Sequence, residues 1–444
     1  MAQFIHTLQN LVWGPGMLVF FLATGVRFTL KSGCFQITKA HVWLKNTLGA
    51  LAGKKEIRET KDEGAISQFQ SFCTALAATL GTGNITGVAT ALVFGGPGAI
   101  FWMWVSAFFG MMTNYAENYL GIRYRYRDEQ GRWVGGAMVY MERGLGCKPL
   151  AVMFAFCCLG ASFGMGNMVQ GNSLAKGLYE AFHVPVSVSG FLCTAGVAVV
   201  ILGGTKRIAA LTEKLVPVMA ILYLCGALTV LFVFREQIPG AFSLIFSEAF
   251  CIRPVVGGVA GYGMGQAVRM GIARGIFSNE AGLGSSVMAH AQSDVEDPKV
   301  QGMWGILEVF IDTVLVCTIT ALVILVSQVP YWQAGEIDGT TLTGMAFASV
   351  IPWGKEFLAG ATALFAFATM IGWFYFGAQT ADYLAGEKGV KVYRFCYILI
   401  TLPGCMIAPT MIWELSDALN GMMAVPNLLA LFFLGKEVAY VGKK

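Results

Sequence analysis

Apolar segments recur along the whole chain, and their length, roughly 20 residues, is what a helix needs to cross the hydrocarbon core of a bilayer. Hydrophobic residues make up 56% of the sequence and charged residues only 13%. A soluble protein has about twice that share of charged residues. The pattern therefore predicts an all-α polytopic membrane protein embedded in a lipid bilayer.

We expect about eleven transmembrane helices in one transmembrane domain that covers residues 1–444. The boundaries follow the ends of the apolar runs. The expected spans are 9–30, 67–94, 98–121, 150–181, 186–203, 212–234, 255–284, 303–327, 355–384, 392–409 and 411–435.

The loops between these spans carry very unequal numbers of positive charges. One alternate set of loops, which includes the C-terminal segment, holds 23 Lys and Arg residues, whereas the opposite set holds only Arg235 and Arg253. Positively charged loops stay on the cytoplasmic side of a membrane. We therefore expect the C-terminus in the cytoplasm and the N-terminus outside, which requires an odd number of spans.

The second expected span is interrupted by the sequence GTGNITG at 81–87. Backbone groups at bilayer depth must be hydrogen-bonded, so a helix can break there only where it faces protein or a cavity. A broken helix with small polar residues at the break is a candidate solute site. The alternative is close helix packing, because Gly83 and Gly87 form a GxxxG pair.

The two sides of such a break have opposite partial charges. Amide N–H groups at the start of a helix suit an anion, and carbonyl groups at the end of a helix suit a cation. The amides of Gly81, Thr82 and Gly83 and the side chain of Asn84 therefore predict a site for a carboxylate. The carbonyls from Ala78 to Gly81 predict a site for a metal cation or an ammonium group.

The chain also contains two similar five-span units, at about 67–234 and about 255–435. Each begins with a span that has Gln, small residues and a polar break. In the second unit Ser278 and Asn279 precede the sequence AGLG at 281–284. Because five is odd, the second unit enters the membrane from the opposite side, and paired breaks in an inverted repeat indicate a binding site at the midplane.

Two other spans offer polar groups to such a site. Gln170 lies in an otherwise apolar helix, where it either contacts a ligand or joins helices. Thr362, Thr369 and Trp373 share one face of the ninth span. A Thr hydroxyl there can complete an oxygen site for a monovalent cation, and Trp373 can cap a small apolar pocket. The alternative is that Thr369 bonds to its own helix and Trp373 belongs to the core.

The seventh expected span contains Arg269, Arg274 and Glu280, and the eighth contains Glu308 and Asp312. Intramembrane charges are costly and are usually paired or functional. We expect some of them to form ion pairs that differ between outward-open and inward-open states, with a fixed structural pair as the alternative. No metal-binding His or Cys spacing, phosphate-binding loop or nucleophile–base pair is present in the sequence. We therefore expect no enzyme, no cofactor, no nucleic-acid partner and no obligate protein partner.

Four blocks of the sequence resemble, in order, those of the alanine or glycine:cation symporter family: CTALAATLGTGNITGVATALVFGGPGAIFWMW (73–104), GNMVQGNS (166–173), GIARGIFSNEAGLGSSVMAHA (271–291) and FAFATMIGW (365–373). The resemblance extends from about residue 10 to 435. It implies a leucine-transporter-type fold, a 5+5 inverted repeat (spans 2–6 and 7–11) preceded by one extra span. It also implies a multi-pass protein of a bacterial-type cytoplasmic membrane.

The resemblance further implies uptake of alanine and glycine by alternating access, coupled to Na⁺ as the co-transported ion. Carried to this chain, it places Thr82, Gly83 and Asn84 at the substrate carboxylate and Gln170 near the ammonium group. Phe367, Thr369 and Trp373 would line the side-chain pocket or the neighbouring ion site. The Na⁺ site would lie between the carbonyls of the second span and Thr369.

Several alternatives stay open on the sequence. A passive channel or sensor would keep the site without accumulating a solute. An intramembrane enzyme has little support, because no catalytic constellation is present. Serine or glutamine as the substrate, and proton coupling instead of Na⁺ coupling, are compatible with the same mechanism. The sequence contains no acidic residue between Gln68 and Phe94, which argues against a proton carrier in that span.

Overall fold

The computed structural model describes residues 7, 12–51, 53, 55–251, 263–330, 339–407 and 410–442 of the chain. The described part is almost entirely helical. Its α-helices are α1 (Pro15–Ser32), α2 (Phe35–Thr38), α3 (Ala40–Asn46), α4 (Leu48–Leu51), α5 (Gln68–Thr79), α6 (Thr86–Gly95), α7 (Gly98–Tyr124), α8 (Ala137–Val139), α9 (Lys148–Phe163), α10 (Gln170–Phe182), α11 (Val186–Ile201), α12 (Gly204–Val233), α13 (Ile238–Ala249), α14 (Met264–Asn279), α15 (Val287–His290), α16 (Pro298–Val309), α17 (Thr318–Val326), α18 (Gly339–Ala348), α19 (Gly354–Met406) and α20 (Thr410–Leu434).

Short elements connect these helices. Strands β1 (Tyr126–Arg127) and β2 (Trp133–Val134) form an antiparallel hairpin after α7. Single turns of 3₁₀-helix lie at Lys55–Ile57, Thr82–Asn84 and Arg235–Gln237, and π-helical turns lie at Tyr140–Gly144, Gly164–Val169 and Phe310–Cys317.

The second expected span is broken, as the sequence predicts. Helix α5 begins at a capping box, in which the Ser67 hydroxyl accepts from the Gln70 amide while the Gln70 side chain accepts from the Ser67 amide. It ends at Thr79, and the two halves of the span are bent by 59° about the residues between them. The break therefore lies in the middle of the span.

Two further spans contain π-helical turns, which are often found at functional sites. The turn Gly164–Val169 joins α9 to α10, and the turn Phe310–Cys317 joins α16 to α17. Each turn adds one residue to the helix and changes which side chains face the neighbouring helices. Both turns lie beside the first break, as the contacts below show.

Helix α7 packs along α14 and α16, and α1 crosses it. Helix α19 packs against α10 and α11 and also contacts α5. The first break is therefore enclosed by helices from both sequence units. Some of the largest buried side chains, Trp304, Trp373 and Phe365, lie on these helices.

Some of the expected loops contain helix instead. The segments 235–254 and 328–354 include α13 and α18, whose 12 and 10 residues are too few to cross a bilayer and so gave no span signal. The backbone at Gly386 is non-helical, with φ at +61°, and divides α19 into two helices, in agreement with the two separate spans expected at 355–384 and 392–409. Helix α12 also begins at Gly204, earlier than expected.

Among the described residues, five helices are long and apolar enough to cross a membrane, and the bent pair that contains the first break makes a sixth. The helix α11 is apolar but shorter. The number of eleven spans and the extra N-terminal span stay predictions. Parts of the first, seventh and tenth expected spans, 9–11, 255–262 and 408–409, lie outside the described residues.

Candidate functional site

The first break is organised by the side chain of Asn84. Its Oδ1 atom accepts a hydrogen bond from the Gly81 amide at 3.0 Å. The same Gly81 amide also donates to the Thr79 carbonyl at 2.9 Å. The sequence predicted that the Gly81 amide would face a substrate, but the structure shows that Asn84 and Thr79 already accept from it.

The other end of the Asn84 side chain joins the first break to the second sequence unit. Its Nδ2 atom donates to Asp312 Oδ1 at 2.7 Å and to the Ser278 hydroxyl at 3.1 Å. Asn84 is fully buried. A single amide therefore links the break in the second span, the end of α14 and the π-turn after α16.

Asp312 is a functional candidate that the sequence analysis left without a role. Its carboxylate accepts hydrogen bonds from Asn84, from the Ser278 hydroxyl at 2.8 Å and from the Thr313 hydroxyl at 2.7 Å. The side chain is fully buried. The signal in the sequence was the charge within an apolar span, and the missing information was its position beside the first break.

Thr369 lies against the end of α5. Its hydroxyl donates to the Ala77 carbonyl oxygen at 3.0 Å and lies 3.3 Å from the Leu80 carbonyl oxygen. The three oxygens form a group of neutral ligands of the kind that a small monovalent cation prefers.

The sequence predicted a cation site at the carbonyls from Ala78 to Gly81. The structure brings to the Thr369 hydroxyl the Leu80 carbonyl, which is in that range, and the Ala77 carbonyl, one residue before it. The Gly81 amide turns to Thr79, which leaves the Ala77 carbonyl without its usual partner four residues later.

Gln170, Thr82 and Gly83 lie on the other side of the break. The Gln170 Oε1 atom accepts from the Thr82 amide over a long 3.4 Å, and its Nε2 atom donates to the Met165 carbonyl at 3.3 Å. Among the described residues, none accepts a hydrogen bond from the Gly83 amide. These are the backbone donors that the break leaves most available to a ligand.

Trp373 and Phe367 lie on the same helix, α19, but on different faces. Trp373 is fully buried, and a Cβ atom on Gly166, in the π-turn before Gln170, would overlap its side chain. Phe367 is partly exposed and lies next to Gly196 of α11, with 3.1 Å between its ring and the position of a Cβ on that glycine. The structure therefore brings Trp373 to the helix that carries Gln170 and directs Phe367 elsewhere.

The second break follows α14. Asn279 donates to the Thr313 hydroxyl at 3.0 Å, and its Oδ1 atom accepts from the Ala281 amide at 3.0 Å. The segment from Ala281 to Gln292 is buried, although the sequence placed a cytoplasmic loop from residue 285. The polar side chains of Ser278 and Asn279, which the sequence assigned to the substrate, are thus bonded within the protein.

The intramembrane charges meet mostly neutral groups. Glu308 pairs with His290 at 3.0 Å and accepts from the Asn114 amide at 3.1 Å. Glu280 accepts from the Ser285 hydroxyl. The Arg274 guanidinium lies over the Phe277 ring, 5.6 Å from its centre. Hydroxyls, amides and one imidazole thus contact the three carboxylates, and ion pairs that change between transport states stay a prediction.

A cavity of about 260 Å³ lies before the start of α5 and beside residues 375–394 of α19, on the side that the sequence places in the cytoplasm. Its lining is partly apolar and carries both signs of charge, with Glu63, Arg132, Gln292, Gln379 and Asp382 among the residues. Tyr375, two residues after Trp373, also lines it. The cavity therefore approaches the site from this side of the protein.

Comparison with known proteins decides the class of protein that this site belongs to. The model of the sodium:alanine symporter family matches residues 1–444. The chain belongs to the sodium:alanine symporter family. It is therefore a membrane transport protein and not an enzyme, and the resemblance noted in the sequence is confirmed.

Individual relatives agree with this family. The chain is 43% identical to the sodium/alanine symporter AgcS of Methanococcus maripaludis over 98% of this chain and 95% of that protein. It is 36% identical to the probable sodium/glutamine symporter GlnT of Bacillus subtilis, over 97% of this chain and 87% of that protein.

A solved structure confirms the fold class. The crystal structure of MhsT in complex with L-phenylalanine has a TM-score of 0.60 to this chain, covering 85% of this chain and 91% of that one at 15% sequence identity. The family has the leucine-transporter-type fold that the sequence analysis expected.

Proposed function

We propose that this transporter couples the inward movement of Na⁺ to the uptake of small neutral amino acids, alanine and glycine, by alternating access. The observation that carries the proposal is the first break. It presents a Thr369 hydroxyl with the Ala77 and Leu80 carbonyls on one side, and the Gly83 amide on the other. A cation and a carboxylate can bind there side by side.

The substrate carboxylate binds the amides of Thr82 and Gly83 in this proposal. The Gln170 amide group lies next to them and orients the ammonium end. Asn84 holds the break in shape through Gly81 and Asp312. Trp373 closes the apolar side of the pocket, so that only a short side chain fits.

The Na⁺ ion binds the Ala77 and Leu80 carbonyls and the Thr369 hydroxyl, which joins α5 to α19. Movement of α19 away from α5 would separate these ligands and release the ion. Na⁺ binding therefore favours the state in which the two helices are packed together, and this is the coupling step of the proposal. The cavity beside Tyr375 is the route by which substrate leaves toward the cytoplasm.

The names of relatives support Na⁺ as the ion and alanine as the substrate, and they also supply the main alternatives. One relative of Bacillus subtilis, 34% identical over 98% of this chain and 90% of that protein, is named a putative sodium/proton-dependent alanine carrier protein. Another is named a probable sodium/glutamine symporter. Proton coupling and glutamine are therefore the second ion and the second substrate to measure.

Uptake by purified protein in proteoliposomes tests the proposal. Labelled L-alanine, D-alanine, glycine, serine and glutamine are offered under an inward gradient of Na⁺, Li⁺ or protons. We expect alanine and glycine to accumulate above the external concentration only with the Na⁺ gradient. Equilibration without accumulation would indicate a channel, and accumulation driven by protons alone would contradict Na⁺ coupling.

The orientation and the repeat are part of the same proposal. We infer a multi-pass protein of the cytoplasmic membrane, with the N-terminus outside and the C-terminus inside, in which residues 67–234 and 255–435 form two inverted units of a single domain. A green fluorescent protein fused after Lys444 should fluoresce in cells, because it folds in the cytoplasm. A dark fusion of normal abundance would place the C-terminus on the other side.

A further inference from the structure

The backbone of the second break is held by an internal carboxylate. Glu117, from α7, accepts hydrogen bonds from the Gly282 amide at 3.1 Å and from the Gly284 amide at 3.0 Å. Both glycines have positive φ, +95° for Gly282 and +75° for Gly284. Residues with a Cβ atom adopt this conformation only with strain, whereas glycine adopts it readily. This conformation turns the two N–H groups toward one point, and a concave group of amides of this kind binds anions.

The partners of Glu117 are the hydrogen-bond donors that an ionised carboxylate needs. Besides the two glycine amides, the Asn427 Nδ2 atom donates to it, and that atom also donates to the Gly282 carbonyl at 2.9 Å. The Tyr140 hydroxyl donates to the Oδ1 atom of Asn427 and fixes the orientation of the amide. Every recorded partner of Glu117 among the described residues is a donor, so the carboxylate has no bond that requires a proton.

The two breaks therefore differ in how many of their backbone amides lack a hydrogen-bond acceptor. In the first break the Gly83 amide has no acceptor among the described residues, and the Thr82 amide has only a long bond to Gln170. In the second break the amides of Gly282 and Gly284 both donate to Glu117, which is 1% exposed. An anion that enters the site finds free backbone donors at the first break and filled ones at the second.

We propose that Glu117 is a positioning residue that serves as the permanent anion of the second break, so that the carboxylate of the substrate binds the first break alone. The substrate then has one orientation, with its carboxylate at Gly83. This inference rests on the proposed function in so far as the substrate has a carboxylate. The arrangement of the second break itself does not depend on the identity of the substrate.

Replacing Glu117 by Ala tests the proposal, because acetate has the shape of the group that is removed. With acetate present from solubilisation onward, we expect acetate at about 100 mM to raise the midpoint of thermal unfolding of E117A and to leave that of the wild-type protein unchanged. Alanine uptake by E117A without acetate should fall by about tenfold or more, as expected for lost bonds to a charged group. Acetate should restore part of that uptake.

Two further variants separate charge from structure. E117Q keeps the volume of the side chain but turns an NH₂ group toward amide donors, so we expect a folded protein with reduced uptake that acetate does not restore. E142A removes a partly exposed carboxylate that accepts from the Tyr383 hydroxyl at 2.6 Å. Acetate should not stabilise E142A, because no group of backbone amides is recorded at that position.

The inference is overturned if acetate leaves the unfolding midpoint of E117A unchanged, or if E117Q transports alanine at the wild-type rate. The proposed function fails differently, when the wild-type protein does not accumulate alanine under a Na⁺ gradient. Because the unfolding measurement is made in detergent without substrate, the two failures can be told apart.

Discussion

The hydroxyl of Thr369 lies 3.0 Å from the carbonyl oxygen of Ala77, at the point where α5 ends. This contact connects a helix of the second sequence unit to the first break. It exists because the Gly81 amide turns away from Ala77 toward Thr79 and Asn84. The carbonyl is then free to bind either a hydroxyl or a cation.

Replacement of Thr369 by Val should weaken Na⁺ binding, because it removes one oxygen and keeps the shape. We expect the Na⁺ concentration for half-maximal alanine uptake to rise about tenfold or more. T369S should stay close to the wild-type value. The matched control is T362V on the same helix, since the Thr362 hydroxyl is buried without a hydrogen-bond partner among the described residues. An unchanged Na⁺ dependence of T369V would rule out this oxygen as an ion ligand.

Gly81 is predicted to tolerate no side chain. A Cβ atom at this position would lie 2.7 Å from the Thr369 hydroxyl oxygen. G81A should therefore displace Thr369 from the Ala77 carbonyl and lower uptake by about tenfold, with the loss largest at low Na⁺. G87A is the control, because a Cβ there meets no heavy atom within 4 Å. The two variants should express equally, and equal uptake by both would contradict the packing argument.

Asn84 and Asp312 should behave as a unit. Their side chains are 2.7 Å apart, so the loss of either group removes the same hydrogen bond. We expect N84A and D312A each to lower alanine uptake by about tenfold or more, and the double variant to lose little beyond the worse single one. Thermal unfolding of all three variants shows whether the protein stays folded. Additive losses would mean that the two residues act independently.

Trp373 is expected to limit the size of the substrate. W373A should admit larger side chains such as that of methionine, and competition of each amino acid with labelled alanine measures the change. Removing a fully buried Trp also costs about 3–5 kcal/mol of folding stability, so the variant is compared at low temperature. W353A is the control, because Trp353 is 58% exposed. A W373A protein with unchanged selectivity would assign Trp373 to the core.

The sequence predicted the helices and both breaks well, because apolar length and clustered glycines are local signals. It also predicted that Thr369 lies next to the first break. The carbonyls next to Thr369 are those of Ala77, one residue before the predicted range of Ala78 to Gly81, and of Leu80, within that range. Which carbonyls are exposed to Thr369 depends on the direction of the Gly81 amide, and the side chain of Asn84 holds that amide in place.

Other parts of the site depend on the folded chain. Asp312 and Glu117 each lie 28 or more residues after the break that precedes them in the sequence. Asp312 contacts the first break and Glu117 the second, so only packing of the folded chain brings them there. Phe367 is two residues from Thr369, and this spacing alone places it on a different face of the helix. The short helices α13 and α18 gave no signal, because the expected spans were chosen by length.

In the proposed function, the first break recognises a carboxylate with main-chain amides, which every residue except proline possesses. Substitution of a side chain cannot easily remove such donors, and the α-carboxylate is common to all amino acids. In this proposal, preference among amino acids depends on the side chains that line the pocket, Trp373 and its neighbours. A change of substrate during evolution therefore requires new side chains around the pocket, while the main-chain amides that bind the carboxylate can stay the same.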